Sequence, residues 1–296
     1  MGQTGRGQEG LGILLLVGSA VAFSTAGYFT RLIPVDVWTL LFWRGIFAGL
    51  FVIGVLVWRH GTDAWRSIPA MGLPGLAVTA LSSCGMIFFI HAFRHTSVAD
   101  VAIVYAAAPF VTAAIAWLWL RERPSRGTLI ASAIAFVGVV VMMGGAFRLG
   151  NMLGDLFALA MTLSLSLMMV VLRRHGDRPM TAAAGLSPLL TTLLVLPLAT
   201  PTGVGTTDLW HLMLFGVLQN GLGLLLITWG TKMLPAAQGA LIGALDAPLA
   251  PVWVWLAFNE IPPTLTLIGG AIVMLAVLGH LWGDRRATVA TETEAR

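Results

Sequence analysis

Two ionisable residues stand alone inside long apolar runs: Arg44 within LLFWRGIFAG and Asp246 within GALIGALDAPLAPVW. An isolated charge in such surroundings is costly, so each is a candidate functional position that needs a partner. Arg44 lies beside Gly45 and Gly49, whose G-x-x-x-G spacing lets another helix approach closely. Its expected role is structural or gating, by capping carbonyls or pairing with a carboxylate. Asp246 stands two residues before Pro248, which removes one backbone donor. At helical spacing Gly239, Gly243, Asp246, Ala250 and Trp253 share a face, so a strip of small residues leads to a carboxylate and then to an aromatic ring. That strip could receive an ammonium group or a proton; a pairing of Asp246 with Arg44 is the alternative.

Weaker polar stripes accompany these charges. Ser24 and Tyr28 share a face with Arg31, His91 shares one with Cys84 and Phe88, and Ser166 shares one with Thr162 and Met169. Gln219 and Asn220 are adjacent, Tyr105 lies one turn before Pro109, and Trp229 follows near the end of its own apolar run. With Asp246 and Trp253 these residues form the expected binding set for a small molecule, around a mostly apolar cavity with a few directed polar groups. The plainer reading of each hydroxyl is a bond to its own helix carbonyl, and that of Gln219 and Asn220 an interhelical hydrogen bond.

His91 and His95 have a spacing that could hold a metal ion, but no third ligand accompanies them, so no metal is expected. The single cysteine, Cys84, excludes an intramolecular disulfide and is expected to be a small buried hydrophobe. Neither H-E-x-x-H, G-x-S-x-G nor the G-x-x-x-x-G-K-[ST] phosphate loop occurs. The chain therefore does not read as an enzyme, and no cofactor is expected.

The elements that position these residues follow from composition. Hydrophobic residues make up 57% of the 296, charged residues 10%, and the mean hydropathy is +0.88. A soluble domain carries about 25% charged residues, so bilayer is the expected solvent. The net charge of +4 and pI near 10.2 do not indicate nucleic acid, because the cations sit in twos and threes at the ends of apolar segments. Apolar stretches fall at 11–30, 37–58, 69–92, 98–120, 127–147, 153–172, 182–200, 209–231, 236–258 and 262–283. Each approaches the roughly 20 residues that a transmembrane helix needs. The first, with Ala20 and Ala22 at A-x-A spacing, also resembles a signal peptide, but its run continues to Tyr28 and is read as a helix that stays.

With the amino terminus in the cytoplasm, inner segments hold 13 Lys and Arg residues and outer loops only Arg31, Arg94 and Arg148. This bias predicts an inner-membrane, multi-pass protein with both termini cytoplasmic. Trp38, Trp58, Trp65, Trp210 and Trp282 fall at helix ends, where such rings anchor at the headgroups. Residues 285–296 read as a disordered cytoplasmic tail.

The halves are self-similar. Setting 91–122 against 229–260 places Arg94 opposite Lys232, Ala99 opposite Ala237, Trp117 opposite Trp255 and Glu122 opposite Glu260, all 138 residues apart. A one-residue slip brings Pro109 opposite Pro248. Five helices per copy inverts the second copy, an arrangement common among secondary transporters, whose substrate sites lie at the repeat interface. The predicted division is 1–148, 149–284 and the tail 285–296, all-α throughout.

On these residues the chain resembles the drug/metabolite transporter superfamily, in its ten-helix branch of two EamA-type repeats. The likeness is carried by Arg44 in its segment, by AFRHTSVADVAIVYAAAPFVTAAIAWLWLRERPS with its second copy, and by Gly154 and Asp155. It implies a carrier of small metabolites, most often an exporter of amino acids. Phosphorylated, nucleotide-sugar or drug-like substrates, a membrane-embedded enzyme and a channel are the alternatives. The expected partners are a small-molecule substrate and the bilayer, with no nucleic acid, and a monomer suffices. Asn259 and Ile261 depart from the Arg121 and Arg123 of the first copy, as inversion would require.

Overall fold

A backbone immersed in lipid has to satisfy its own polar groups, which long apolar runs do by coiling into helices. The computed structural model describes residues 2–96, 98–144, 152–259 and 261–294, without the side chains of 2–6, 93, 94, 98, 99 and 284–294. Glu260 and Arg148, and the side chains of Arg94 and Ala99, lie outside this set.

The first half comprises α1 (Gly2–Ser24), α2 (Ala26–Leu32), α3 (Val37–His60), α4 (Ser67–His95), α5 (Val98–Ala106), α6 (Ala108–Leu120) and α7 (Arg126–Met142). The second comprises α8 (Met152–Arg174), α9 (Thr181–Val195), α10 (Thr206–Leu214), a π-helical turn (Phe215–Gly221), α11 (Leu222–Gly230), α12 (Ala236–Gly243), α13 (Asp246–Phe258) and α14 (Thr264–Glu294). Eight apolar segments are long enough to span; one of them, Val37–Ala92, folds back on itself as α3 and α4, and the 17-residue α7 completes ten passes. Both chain ends consequently lie at the same end of the bundle.

That end is basic: Arg173 Nε donates to Glu122 Oε1 at 3.0 Å and its Nη1 to the Lys232 carbonyl at 2.8 Å. At the opposite end Asp36 caps α3, accepting from the Trp38 and Thr39 amides at 2.9 and 3.0 Å. Thr200 from the second half joins the cap, donating to Asp36 Oδ2 at 3.2 Å. Burial raises the Asp36 pKa, and these hydrogen bonds, together with one from the Thr39 side chain, lower it, for a net shift below the usual carboxylate value.

The packing repeats with the sequence. α3 packs on α9 and α7 on α14, while α1 packs on α11 as α8 packs on α4. The first helix of each half thus meets the third pass of the other, as a twofold relation within the membrane plane demands. α6 and α13 each have 13 residues, run in opposite senses and end on left-handed residues, Arg121 and Asn259. The crossing of α7 and α14 is so tight that a Cβ on Gly138 would lie 2.8 Å from the Gly269 carbonyl oxygen. Gly154 packs on the His95–Thr96 backbone, and the neighbouring Asp155 accepts from the Thr96 hydroxyl at 3.3 Å.

Two expectations are corrected. Trp38 is not a surface anchor: it is 9% exposed, packed with Leu41, Ile90 and Val195, because its position just inside the Asp36 cap turns it into the bundle. Trp58, Trp65, Trp210 and Trp282 are exposed, at 57–84%. Cys84 is exposed rather than buried, since its neighbour Ser83 takes the inward face of α4 and donates to the Ser187 carbonyl at 2.8 Å. α14 runs from Thr264 to Glu294.

Candidate functional site

Two groups of polar side chains in the bundle interior lie between the halves. The first surrounds Arg44, seven residues into α3 and so about 10 Å from its start. The residue is 6% exposed. Nη1 donates to Gln219 Oε1 at 3.4 Å, Nη2 points to Met86 Sδ at 3.0 Å, and Cζ sits 5.2 Å from the centre of the Phe215 ring. Nε has no partner among the described residues, and none of the partners is a carboxylate. The expected pairing with an acid, Asp246 included, is therefore replaced by an amide, a thioether and an aromatic face.

Local backbone explains the arrangement. Gly45 and Gly49 face α9, where Cβ positions would run into Thr192, Pro188, Leu189 and Gly185, so the close approach expected from their spacing is made to that helix. The π-turn carries Phe215, Gln219 and Asn220, all buried. Its wider winding turns both amides inward, and π-turns recur at functional sites. Gly216 lets it press against α3, where a Cβ would meet the Arg44 carbonyl at 2.7 Å. Between these elements lies a cavity of about 20 Å³, lined by Arg44, Ser82, Ser187, Thr191, Asn220 and the apolar Leu41 and Leu224. It has room for about one water-sized group.

The second place is where two spans break. α5 ends at Ala106 and α6 begins two residues later with Pro109 in its first turn; α12 ends at Gly243 and α13 begins at Asp246. Pro109 and Pro248 thus open second half-helices instead of kinking continuous ones, and the strip from Gly239 to Trp253 is not continuous. Asp246 lies in the first turn of α13, where a helix dipole favours an anion. Its carboxyl group lies near the Tyr105 side chain across the facing break. Ser166 reaches the Ala108 carbonyl at 3.5 Å. Further along α13, Trp253 Nε1 donates to Ser24 Oγ at 2.8 Å, and Ser24 in turn donates to the Val21 carbonyl of its own helix. Tyr28 packs edge-on against Phe29 and beside Phe258.

Two members of the expected set lie elsewhere. His91 is near the Asp36 end, its ring parallel to His95 within 7° and both rings against Phe157. Trp229 lies at the basic end, beneath Arg59 at 5.0 Å and donating to Thr181 Oγ1 at 3.1 Å. Among the described residues no three His, Cys, Asp or Glu side chains gather to hold a metal. The sequence reading missed Met86, Phe215, Ser82, Ser187 and Thr191; a Ser-Pro pair inside an apolar run, at Ser187 and Pro188, was the available signal.

Ten passes in two oppositely threaded halves, with polar groups enclosed between them, define a polytopic carrier fold. The EamA-like transporter family matches residues 10–144 and 152–282, and the chain belongs to that family. It is 26% identical over 245 residues to the uncharacterized transporter YojE of Bacillus subtilis, covering 79% of this chain and 74% of that protein. It is 24% identical over 294 residues to solute carrier family 35 member G1 of Mus musculus, covering 91% and 78%. The riboflavin transporter of Brucella anthropi is 23% identical over 248 residues, covering 81% and 86%. A crystal structure of a protein with 18% identity superposes with a TM-score of 0.74 over 93% of this chain and 98% of its own, which shows a shared fold. The chain is a multi-pass membrane transporter and not an enzyme.

Proposed function

We propose that this transporter moves amino acids and similar small metabolites outward across the cell's inner membrane, with both termini in the cytoplasm, by alternating access of its two halves. The observation that carries the reading is the meeting of the two broken spans, with Asp246 opening α13 opposite Tyr105. Half-helix ends at membrane depth are where carriers of this design hold charged substrate groups. A carboxylate there suits a substrate ammonium, and the aromatic rings of Tyr105 and Trp253 suit apolar side chains. The domain division at 148–149 and a monomeric working unit belong to the same proposal.

The test is uptake and counterflow of a labelled amino-acid panel by the purified protein in liposomes, with riboflavin included because one relative carries that name. Saturable counterflow of an amino acid is expected, and Asp246→Asn should reduce it at least tenfold while the protein still folds. Saturable counterflow of riboflavin alone would replace the amino-acid reading. Normal amino-acid transport by Asp246→Asn would remove that carboxylate from the site.

A further inference from the structure

Arg44 presents a charge that the surrounding protein leaves unbalanced. The residue is 6% exposed and its guanidinium carries five N–H donors. A glutamine oxygen and a thioether occupy two of them, and Nε faces no acceptor. Asp36 is engaged with its helix cap and with Thr200, and Asp246 opens α13 at the other polar place. A buried cation held by neutral groups alone is strongly disfavoured unless a counter-charge joins it.

The space beside it is furnished for such a charge. Ser187 Oγ is buried and has no partner among the described residues, and Ser82 and the Asn220 amide line the same space as further donors, while the Thr191 hydroxyl there already donates to the Ser187 carbonyl at 3.0 Å. No acidic residue lines the cavity. At about 20 Å³ it admits a single small group and not a whole metabolite. Its walls come from α3 and α4 of the first half and from α9 and the π-turn of the second, so an occupant touches both.

We infer that this cavity is an anion subsite, taking one small anionic group: a carboxylate of the transported metabolite or a chloride-sized inorganic ion. It rests on the carrier reading only for what brings the anion there. Arg44 supplies charge-assisted hydrogen bonds, and occupancy locks the two halves together at α3 and the π-turn.

The test is thermal unfolding of the full-length protein in detergent, titrated with sodium formate or sodium chloride while the bulky anion of HEPES holds ionic strength constant. A saturable rise in the unfolding midpoint is expected with at least one of the two. Arg44→Gln should abolish it. Asn220→Leu, which keeps the cation and removes a donor, should weaken it about tenfold and serves if Arg44→Gln does not fold. Response to formate alone assigns the site to a carboxylate, and response to chloride alone to an inorganic ion. No saturable response in the wild type, or an unchanged one in whichever variant folds, overturns the proposal. Counterflow measured in parallel separates the two readings: anion response without counterflow leaves the subsite and removes the carrier mechanism, and counterflow without anion response does the reverse.

Discussion

Arg121 and Asn259, 138 positions apart, hold the same left-handed backbone, with φ of 58° and 54°, at the ends of α6 and α13. The two residues differ chemically, so the conformation belongs to the repeated unit and not to either side chain. Left-handed geometry costs an ordinary residue about 1–2 kcal/mol, and Asn tolerates it better than Arg. Arg121→Gly should raise the unfolding midpoint in detergent, Asn259→Gly should change it less, and Arg121→Val should lower it. An unchanged midpoint in Arg121→Gly would show that the turn carries no strain.

At the crossing of α7 and α14 the backbones themselves are in contact, so nothing flexible can give way. Gly138→Ala would set a methyl group 2.8 Å from the Gly269 carbonyl oxygen and 3.0 Å from the Val273 amide nitrogen. A loss of about 1–3 kcal/mol is expected from such overpacking, read as a lower unfolding midpoint. Gly54→Ala, which meets no neighbouring atom, is the control.

Asp36 both caps α3 and holds Thr200. Asp36→Ala should cost about 0.5–2 kcal/mol as a lost cap. Because its folded pKa lies below the model-peptide value of 3.8, its contribution is complete above that value and is lost as pH falls through the folded pKa. Acid titration of the unfolding midpoint should therefore fall less steeply in Asp36→Asn than in the wild type.

Lys232 has the same sign of pH dependence, in the alkaline range and from a different cause. Burial lowers its pKa from 10.5, opposed by the charge of Asp177, and its ammonium donates to the Arg178 carbonyl at 2.9 Å. The unfolded chain then binds more protons in the window between the folded pKa and 10.5, so stability rises with pH across that window. Lys232→Met should flatten this alkaline rise; an unchanged slope would assign it to another group.

The ten passes were legible because apolar length and flanking cations are properties of the chain itself. Pro109 and Pro248 marked the broken spans, yet each break falls just before its proline, where the ring cannot accept a continuing helix. The π-turn at Phe215–Gly221 leaves no trace in a 3.6-residue period, so the adjacency of Gln219 and Asn220 in the sequence does not reveal that both side chains turn inward. The neutral surroundings of Arg44 were equally hidden, since Met86 and Phe215 reach it from other helices and nothing in their own segments announces a cation. His91 and Trp229 shared the polar signal of the central residues but lie at opposite ends of the bundle, a distinction that helical faces alone do not carry.

The matched spans α5–α6 and α12–α13 are built alike and threaded in opposite senses. Their apolar interior therefore keeps no record of which compartment it faces. That information is written in a few loop residues: Arg121, Arg123 and Arg126 follow the first copy, where Asn259 and Ile261 follow the second. Orientation in this architecture is a label attached to the unit, and relocating a handful of cations, with the core untouched, would readdress it.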